Sequence, residues 1–283
     1  MRTRLLDIAF RTMPEVTARV AAGLMLLPGR RMAVRPEERP VMDRARTTTV
    51  DAGRHRIRVH RWGDGERRVL LVHGWSGRAA QFAALVSRLQ PGATVIAFDA
   101  PAHGASRGMT ADIGMWIEAI RVLDEAVGGF DLVVGHSFGG LAVRRASLAG
   151  LVHGRIVSIA APPSTDAVMK AYAAQAGLPD AVASGTNDAL ARRLGPVMAS
   201  IAMDRSRPAA GTAAALLVVH DDADRAVPPV AADAVVAHWP GPSALLRTTG
   251  RGHNGILAAP DVLDAVVAFA AAPAEPAAAS PRG

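Results

Sequence analysis

The spacing of apolar residues changes character along the chain. Through residues 5–27 apolar positions recur three and four apart, which predicts one or two amphipathic helices, stopped near Pro28 and Gly29. After Pro40 the period drops to two. RTTTVDAG and RHRIRVHRWG read as two strands of a hairpin around Gly53, with Ile57 and Val59 on one face. From there continuous apolar runs alternate with helical stretches. VLLVHG (69–74), TVIAFDA (94–100), FDLVVGHS (130–137) and RIVSIAAPP (155–163) have the unbroken apolar character of strands buried on both faces. Between them, residues 78–90, 111–129 and 138–150 carry helical periodicity. Strand-helix alternation of this kind predicts an α/β fold, a mostly parallel central sheet flanked by helices.

The rhythm breaks over residues 164–213, where two or three helical pieces (165–176, 179–193 and 196–203) follow one another with no strand candidate between them. An insertion of this size predicts a small helical lid over one edge of the sheet. Alternation resumes with ALLVVHDDAD, PVAADAVVAHW, SALLRTT and DVLDAVVAFAAA. The expected organisation is an N-terminal helical, basic segment (1–45), a core in two parts (46–163 and 214–272) around the lid (164–213), and a Pro/Ala-rich disordered tail (273–283).

Composition narrows the chemistry. A chain of 283 residues, half of them hydrophobic, can bury one large core. It has no cysteine, so disulfides, thiolate nucleophiles and cysteine metal sites are excluded. The net charge of +7 comes almost wholly from arginine, Lys170 being the only lysine. The arginines are spread along the chain without aromatic company, so nucleic acid is not an expected partner. No apolar run reaches the roughly 20 residues that span a bilayer, and Asp7 and Arg11 interrupt what would be a signal-peptide core. The default localisation is cytoplasmic. The N-terminal helices are expected to pack on the main domain, with weak contact to a membrane surface as the alternative.

Gly135-His136-Ser137-Phe138-Gly139 fits G-x-S-x-G, with the strand DLVV running into it and the helical LAVRRASLAG running out. A serine on so tight a turn needs small neighbours where the chain approaches itself, and the helix start offers free amides to a developing oxyanion. VLLVHGWSG ends a strand at His73-Gly74 and would bring the Trp75 amide to the same edge, beside that of Phe138. His73 itself reads as structural. Downstream, LLVVHDDADRAVP holds three carboxylates, Asp221, Asp222 and Asp224. GRGHNGIL sets His253 in a glycine-flanked loop after the last strand. Serine, acid and histidine in that order, each at a strand end, are the parts of a nucleophilic triad.

The chain resembles the α/β-hydrolase fold superfamily, its serine esterases and lipases in particular, from about Arg56 to Ala270. VHGWSG is similar to the family's oxyanion loop and FDAPAHGAS to the loop after its next strand. GHSFGG resembles its nucleophile elbow, VVHDDADRAVP its acid loop and GRGHNGIL its histidine loop. The resemblance implies Ser137 as nucleophile, His253 as base, and Asp224 as acid, since Asp224 stands four residues after a strand-terminal histidine and just before Val227-Pro228. It also implies the backbone N–H groups of Trp75 and Phe138 as an oxyanion hole, and Trp75, His136 and Phe138 as substrate contacts. Asp99 and His103 resemble structural members of their loop. One departure is Asp221, where the family often has glycine, so Asp221 or Asp222 could compete with Asp224.

The implied activity is two-step hydrolysis of a small-molecule carboxylic ester, with no cofactor and no metal. Thioester, amide and C–C bond cleavage use the same triad, and a non-catalytic binding protein of the same fold is the rival reading. A serine at the elbow argues against halide displacement and epoxide opening. Met169, Leu178, Met198 and Met203 are the lid's candidate apolar contacts, which suit small to medium acyl chains.

Overall fold

The computed structural model describes residues 8, 10–195 and 214–272. A first helix, α1 (Pro14–Met25), and a short α2 (Arg39–Met42) precede the hairpin β1 (Arg46–Ala52) and β2 (His55–Val72). Then come α3 (Ala83–Leu89), β3 (Ala93–Asp99), α4 (Ile113–Val127), β4 (Leu132–His136), α5 (Phe138–Leu148) and β5 (Arg155–Ile159). Two helices, α6 (Thr165–Ala176) and α7 (Asp180–Leu194), occupy the place expected for the lid. The third expected piece, 196–203, and the tail, 273–283, lie outside the described residues. The chain closes with β6 (Leu216–Asp221), α8 (Val230–His238), β7 (Ser243–Thr248), the single turn α9 (Gly252–Gly255) and α10 (Pro260–Ala271).

The sheet runs β1-β2-β4-β5-β6-β7, parallel from the second half of β2 onward. The two strands expected at 54–63 and 69–74 are one continuous element that bends, and both of its halves pair with β3. Partners descend along β3 from Arg58↔Asp99 to Trp62↔Val95, an antiparallel pairing. They ascend from Arg68↔Thr94 to Val72↔Phe98, which is parallel. The bend requires Gly63 and Gly65: a Cβ on Gly63 would stand 2.3 Å from the Ala93 carbonyl oxygen, and one on Gly65 2.6 Å from the Ala93 nitrogen.

Because successive strand residues face opposite ways, each strand feeds two apolar layers. Leu70, Val72 and Val133 join Trp116, Ile120 and Leu141 on one face. Val69, Leu71, Leu132 and Val134 join Phe82, Leu85, Val262 and Val266 on the other. Burial of helices on both faces fixes the sheet rigidly and leaves its carboxyl edge open, where loops can carry chemistry.

Among the described residues of the N-terminal segment, α1 and the stretch after it pack on the body. Ala18 of α1 meets α7 so closely that a Cβ on Gly185 would stand 2.9 Å from the Ala18 methyl. The Tyr172 hydroxyl donates to the Ala21 carbonyl at 2.9 Å, tying α6 to α1, and the Ala111 N–H donates to the Leu26 carbonyl at 2.8 Å. Arg31 donates to the carbonyls of Gly104, Ser106 and Gly108.

Candidate active site

Ser137 is the single residue between β4 and α5, with φ 53° and ψ −123°. A side chain seldom holds this left-handed conformation, which costs on the order of 1–3 kcal/mol and persists only where packing imposes it. Here the packing is backbone on backbone. A Cβ on Gly139 would stand 2.2 Å from the Val72 carbonyl oxygen and 2.4 Å from that of His73. One on Gly135 would meet Gly139 and Gly140 at 2.6 Å. The small residues of GHSFGG thus let helix α5 close against the sheet and raise the serine.

Three of the expected residues meet. The Ser137 Oγ and His253 Nε2 are 3.0 Å apart, and His253 Nδ1 and Asp224 Oδ2 are 2.8 Å apart. With the carboxylate accepting from Nδ1–H, Nε2 is left to accept from the hydroxyl. The other oxygen of Asp224 accepts from the N–H groups of Ala226 (2.8 Å) and Val227 (2.9 Å). Burial opposes ionisation of Asp224, but the bonds from His253, Val227 and Ala226 outweigh it and hold its pKa below the ordinary value.

Asp221 and Asp222 do not compete for His253. Asp221 is buried and accepts four bonds, from the Thr248 hydroxyl and from the N–H groups of Ala223, Arg251 and Gly252. It therefore clamps the histidine loop to the end of β6. Burial alone would raise its pKa, yet these donors hold it at about 2. Asp222 is exposed and pairs with Arg247 at 3.0 Å.

His136 corrects the expectation that it contacts substrate. It is buried behind the pocket wall, where its Nε2–H donates to the His253 carbonyl at 2.8 Å. Strand alternation explains the difference: a side chain next to the upward-facing serine turns the other way. Burial, with His253 close by, lowers its pKa to about 3, so the ring is neutral. His73 is structural, donating from Nδ1 to the Gly74 carbonyl and accepting at Nε2 from the Ala100 N–H. Asp99 accepts from the N–H groups of Ala79 and Ala105, and His103 accepts from that of Ser76. Burial pulls the His103 pKa down to about 3.

Trp75, on the loop after β2, lines the same pocket as Ser137, stacked on Trp116 with centroids 5.9 Å apart and edge-on to Phe138 at 5.4 Å. Phe138 opens α5, so its N–H has no carbonyl one turn back to bond, and the helix dipole is positive there.

These groups open onto a pocket of about 670 Å³. Its wall is mostly apolar: Trp75, Phe138, Ile113, Val168, Met169 and Leu190 among others, with Asp112 at its rim held as the cap of α4. Met169 is there as expected; Leu178 is not among the lining residues, and Met198 and Met203 lie outside the described residues. The unexpected contribution is residues 24–27, which belong to the N-terminal segment and form part of the wall. His220, the strand-terminal histidine four residues before Asp224, takes a part that the sequence does not show: it donates to the Val227 carbonyl at 3.0 Å and braces the turn that carries Asp224.

Fold and geometry define an α/β hydrolase, and the comparisons agree. Residues 69–266 match the model of the Alpha/beta hydrolase family, and the chain belongs to that family. No curated protein matches it in sequence. Among solved structures, it is similar to the ferulic-acid complex of Est1E from Butyrivibrio proteoclasticus, at 18% identity and a TM-score of 0.61, over 78% of this chain and 97% of that one. It is similar to a bacterial membrane phospholipase A at 16% identity and a TM-score of 0.60, over 94% of each chain. An epoxide hydrolase from Vigna radiata is alike at 16% identity and a TM-score of 0.60, over 81% of this chain and 98% of that one. Likeness at these identities establishes the fold, which carries several chemistries.

Proposed function

We propose that the protein is a serine hydrolase that cleaves carboxylic esters of small to medium acyl chains through an acyl-enzyme intermediate. The observation that carries this reading is the unbroken line of hydrogen bonds from Asp224 through His253 to Ser137 at the mouth of an apolar pocket. His253 Nε2 takes the hydroxyl proton as Ser137 Oγ attacks the ester carbonyl, and Asp224 stabilises the imidazolium that forms. The Trp75 and Phe138 amides receive the oxyanion. The alcohol leaves with the proton from His253, and water, activated by the same ring, releases the acid.

Two further considerations favour the ester. A nucleophile at the elbow that is serine, not carboxylate, suits acyl transfer, and a membrane phospholipase A is among the proteins that share this fold. A pocket of this volume and apolarity suits an acyl chain better than a charged group. The test is a series of p-nitrophenyl esters of increasing chain length, run with the parent and with Ser137→Ala. The parent should turn over, be labelled by a fluorophosphonate, and lose on the order of a millionfold in kcat with the substitution. Equal rates for the two proteins would refute the assignment; absence of labelling in folded protein would favour a non-catalytic binding role.

A further inference from the structure

The outer face of α1 is apolar and faces water. Val16, Val20 and Leu24 succeed one another at four-residue steps, so at about 100° per residue they stay within an arc of about 80°. Met13 before the helix and Leu27 after it extend the line, and all five are between 41% and 56% exposed. The buried Ala18, Ala21 and Ala22 are centred about 150° around the helix from that stripe. α1 thus turns its small residues inward and its large apolar ones outward, the reverse of a helix that serves only to complete a core. Single exposed apolar side chains are ordinary, but a line of five marks a surface that meets something apolar.

Its two ends say what. Leu24 and Leu27 also line the pocket, so the stripe runs into the pocket wall. Met109, 81% exposed, sits on a loop bonded to the same segment on both sides, through Arg31 to the Gly108 carbonyl and through the Ala111 N–H to Leu26. Residues 1–31 carry six arginines against Asp7 and Glu15, a net of +4 out of the chain's +7. A helix of 12 residues is about 18 Å long, too short for a bilayer core of about 30 Å, and among the described residues no single helix is long and apolar enough to cross a membrane. An apolar stripe flanked by arginine is the pattern of a helix lying in the headgroup layer. A second copy of the chain would instead set this basic segment against itself across a two-fold axis.

We propose that the outer face of α1, with Met109, seats the protein on an anionic lipid surface, and that ester chains held in that surface enter the pocket past Leu24 and Leu27. The second half rests on the hydrolase reading; the first does not. The test floats the full chain with vesicles of phosphatidylcholine alone or with added phosphatidylglycerol. It is repeated with the double variant Val16→Gln/Val20→Gln, whose positions do not line the pocket and whose glutamines keep helix propensity.

The parent should float with the phosphatidylglycerol vesicles and much less with phosphatidylcholine alone. The double variant should lose at least about tenfold in partitioning, with unchanged thermal unfolding and unchanged hydrolysis of a soluble short ester. A parent that does not float, or a variant that floats equally well, overturns the proposal. So does concentration-dependent dimerisation in sedimentation that the variant abolishes, which would make the occupant a second copy. Flotation by a parent that hydrolyses no ester would uphold the docking surface and overturn the delivery of substrate along it.

Discussion

Asp221 and Asp224 stand three residues apart with opposite tasks, so their amides make a paired test. In Asp224→Asn the oxygen facing Ala226 and Val227 can stay an oxygen, which puts the new NH2 against His253 Nδ1. Two donors cannot face each other, so the ring carries its proton on Nε2 and can no longer accept one from Ser137. The expected loss is on the order of 10⁴-fold in kcat, with little change in unfolding temperature. In Asp221→Asn the NH2 must replace one of two oxygens that each accept two bonds. The cheaper choice faces Thr248, whose hydroxyl can turn to accept, and strands the Arg251 N–H. One buried donor left unpaired costs about 1–3 kcal/mol, and loss of charge assistance on the remaining bonds adds about 1 kcal/mol. A total of about 2–4 kcal/mol lowers the unfolding temperature by roughly 4–16 °C in a domain of this size. Activity should fall far less than in the other variant when assayed well below that temperature. Differential scanning fluorimetry and p-nitrophenyl ester hydrolysis read the two effects separately. An Asp224→Asn enzyme within about tenfold of the parent, or an Asp221→Asn enzyme inactive at full stability, would show that the two roles have been assigned to the wrong carboxylates.

Two further outcomes follow from the packing and the buried histidines. Gly139→Ala should lower the unfolding temperature strongly or prevent folding, because the added methyl overlaps two backbone carbonyls that no rotamer change can move; a parent-like melting curve would refute the close approach at the elbow. His103 and His136 have folded-state pKa values of about 3 against an ordinary 6.5, so between those limits the unfolded chain binds protons that the folded one does not. Stability is therefore full above about pH 6.5 and is lost as the pH falls toward 3, at up to about 1.4 kcal/mol per pH unit for each ring, with Asp221 adding to the loss from about pH 4 downward. Unfolding temperatures measured across this range should decline steadily, and a flat profile from pH 7 to about pH 5 would count against neutral burial of the two rings.

Much of this is legible in the sequence. The apolar runs at 69–72, 94–99, 132–136, 155–159 and 216–221 are strands because both faces of a central parallel strand are covered, which leaves an unbroken signal. The elbow was readable because its demand is local: a serine at positive φ between a strand and a helix needs small neighbours, and GHSFGG supplies them. His136 departs from the substrate contact that the resemblance implies, because the pleat sends neighbouring side chains to opposite sides and a motif match does not say which side a residue takes. In the sequence RHRIRVHRWG and VLLVHG are two separate strand signals, and only the passage of β3 beside Gly63 and Gly65 shows that they are one bent element.

By itself the sequence determined the layered sheet, the turn that lifts Ser137, and the short list of groups able to act with it, because periodicity and turn chemistry are properties of neighbouring residues. The tertiary structure alone decided between Asp221 and Asp224. Both end the same strand in the same turn, and the choice depends on where a histidine 29 residues further on points its ring. It likewise decided that residues 24–27, more than 100 residues before Ser137, form part of the pocket wall, with a large apolar stripe of α1 left facing outward. Helical spacing says that a helix has two faces. Which face the fold covers is settled only when the rest of the chain has packed against it.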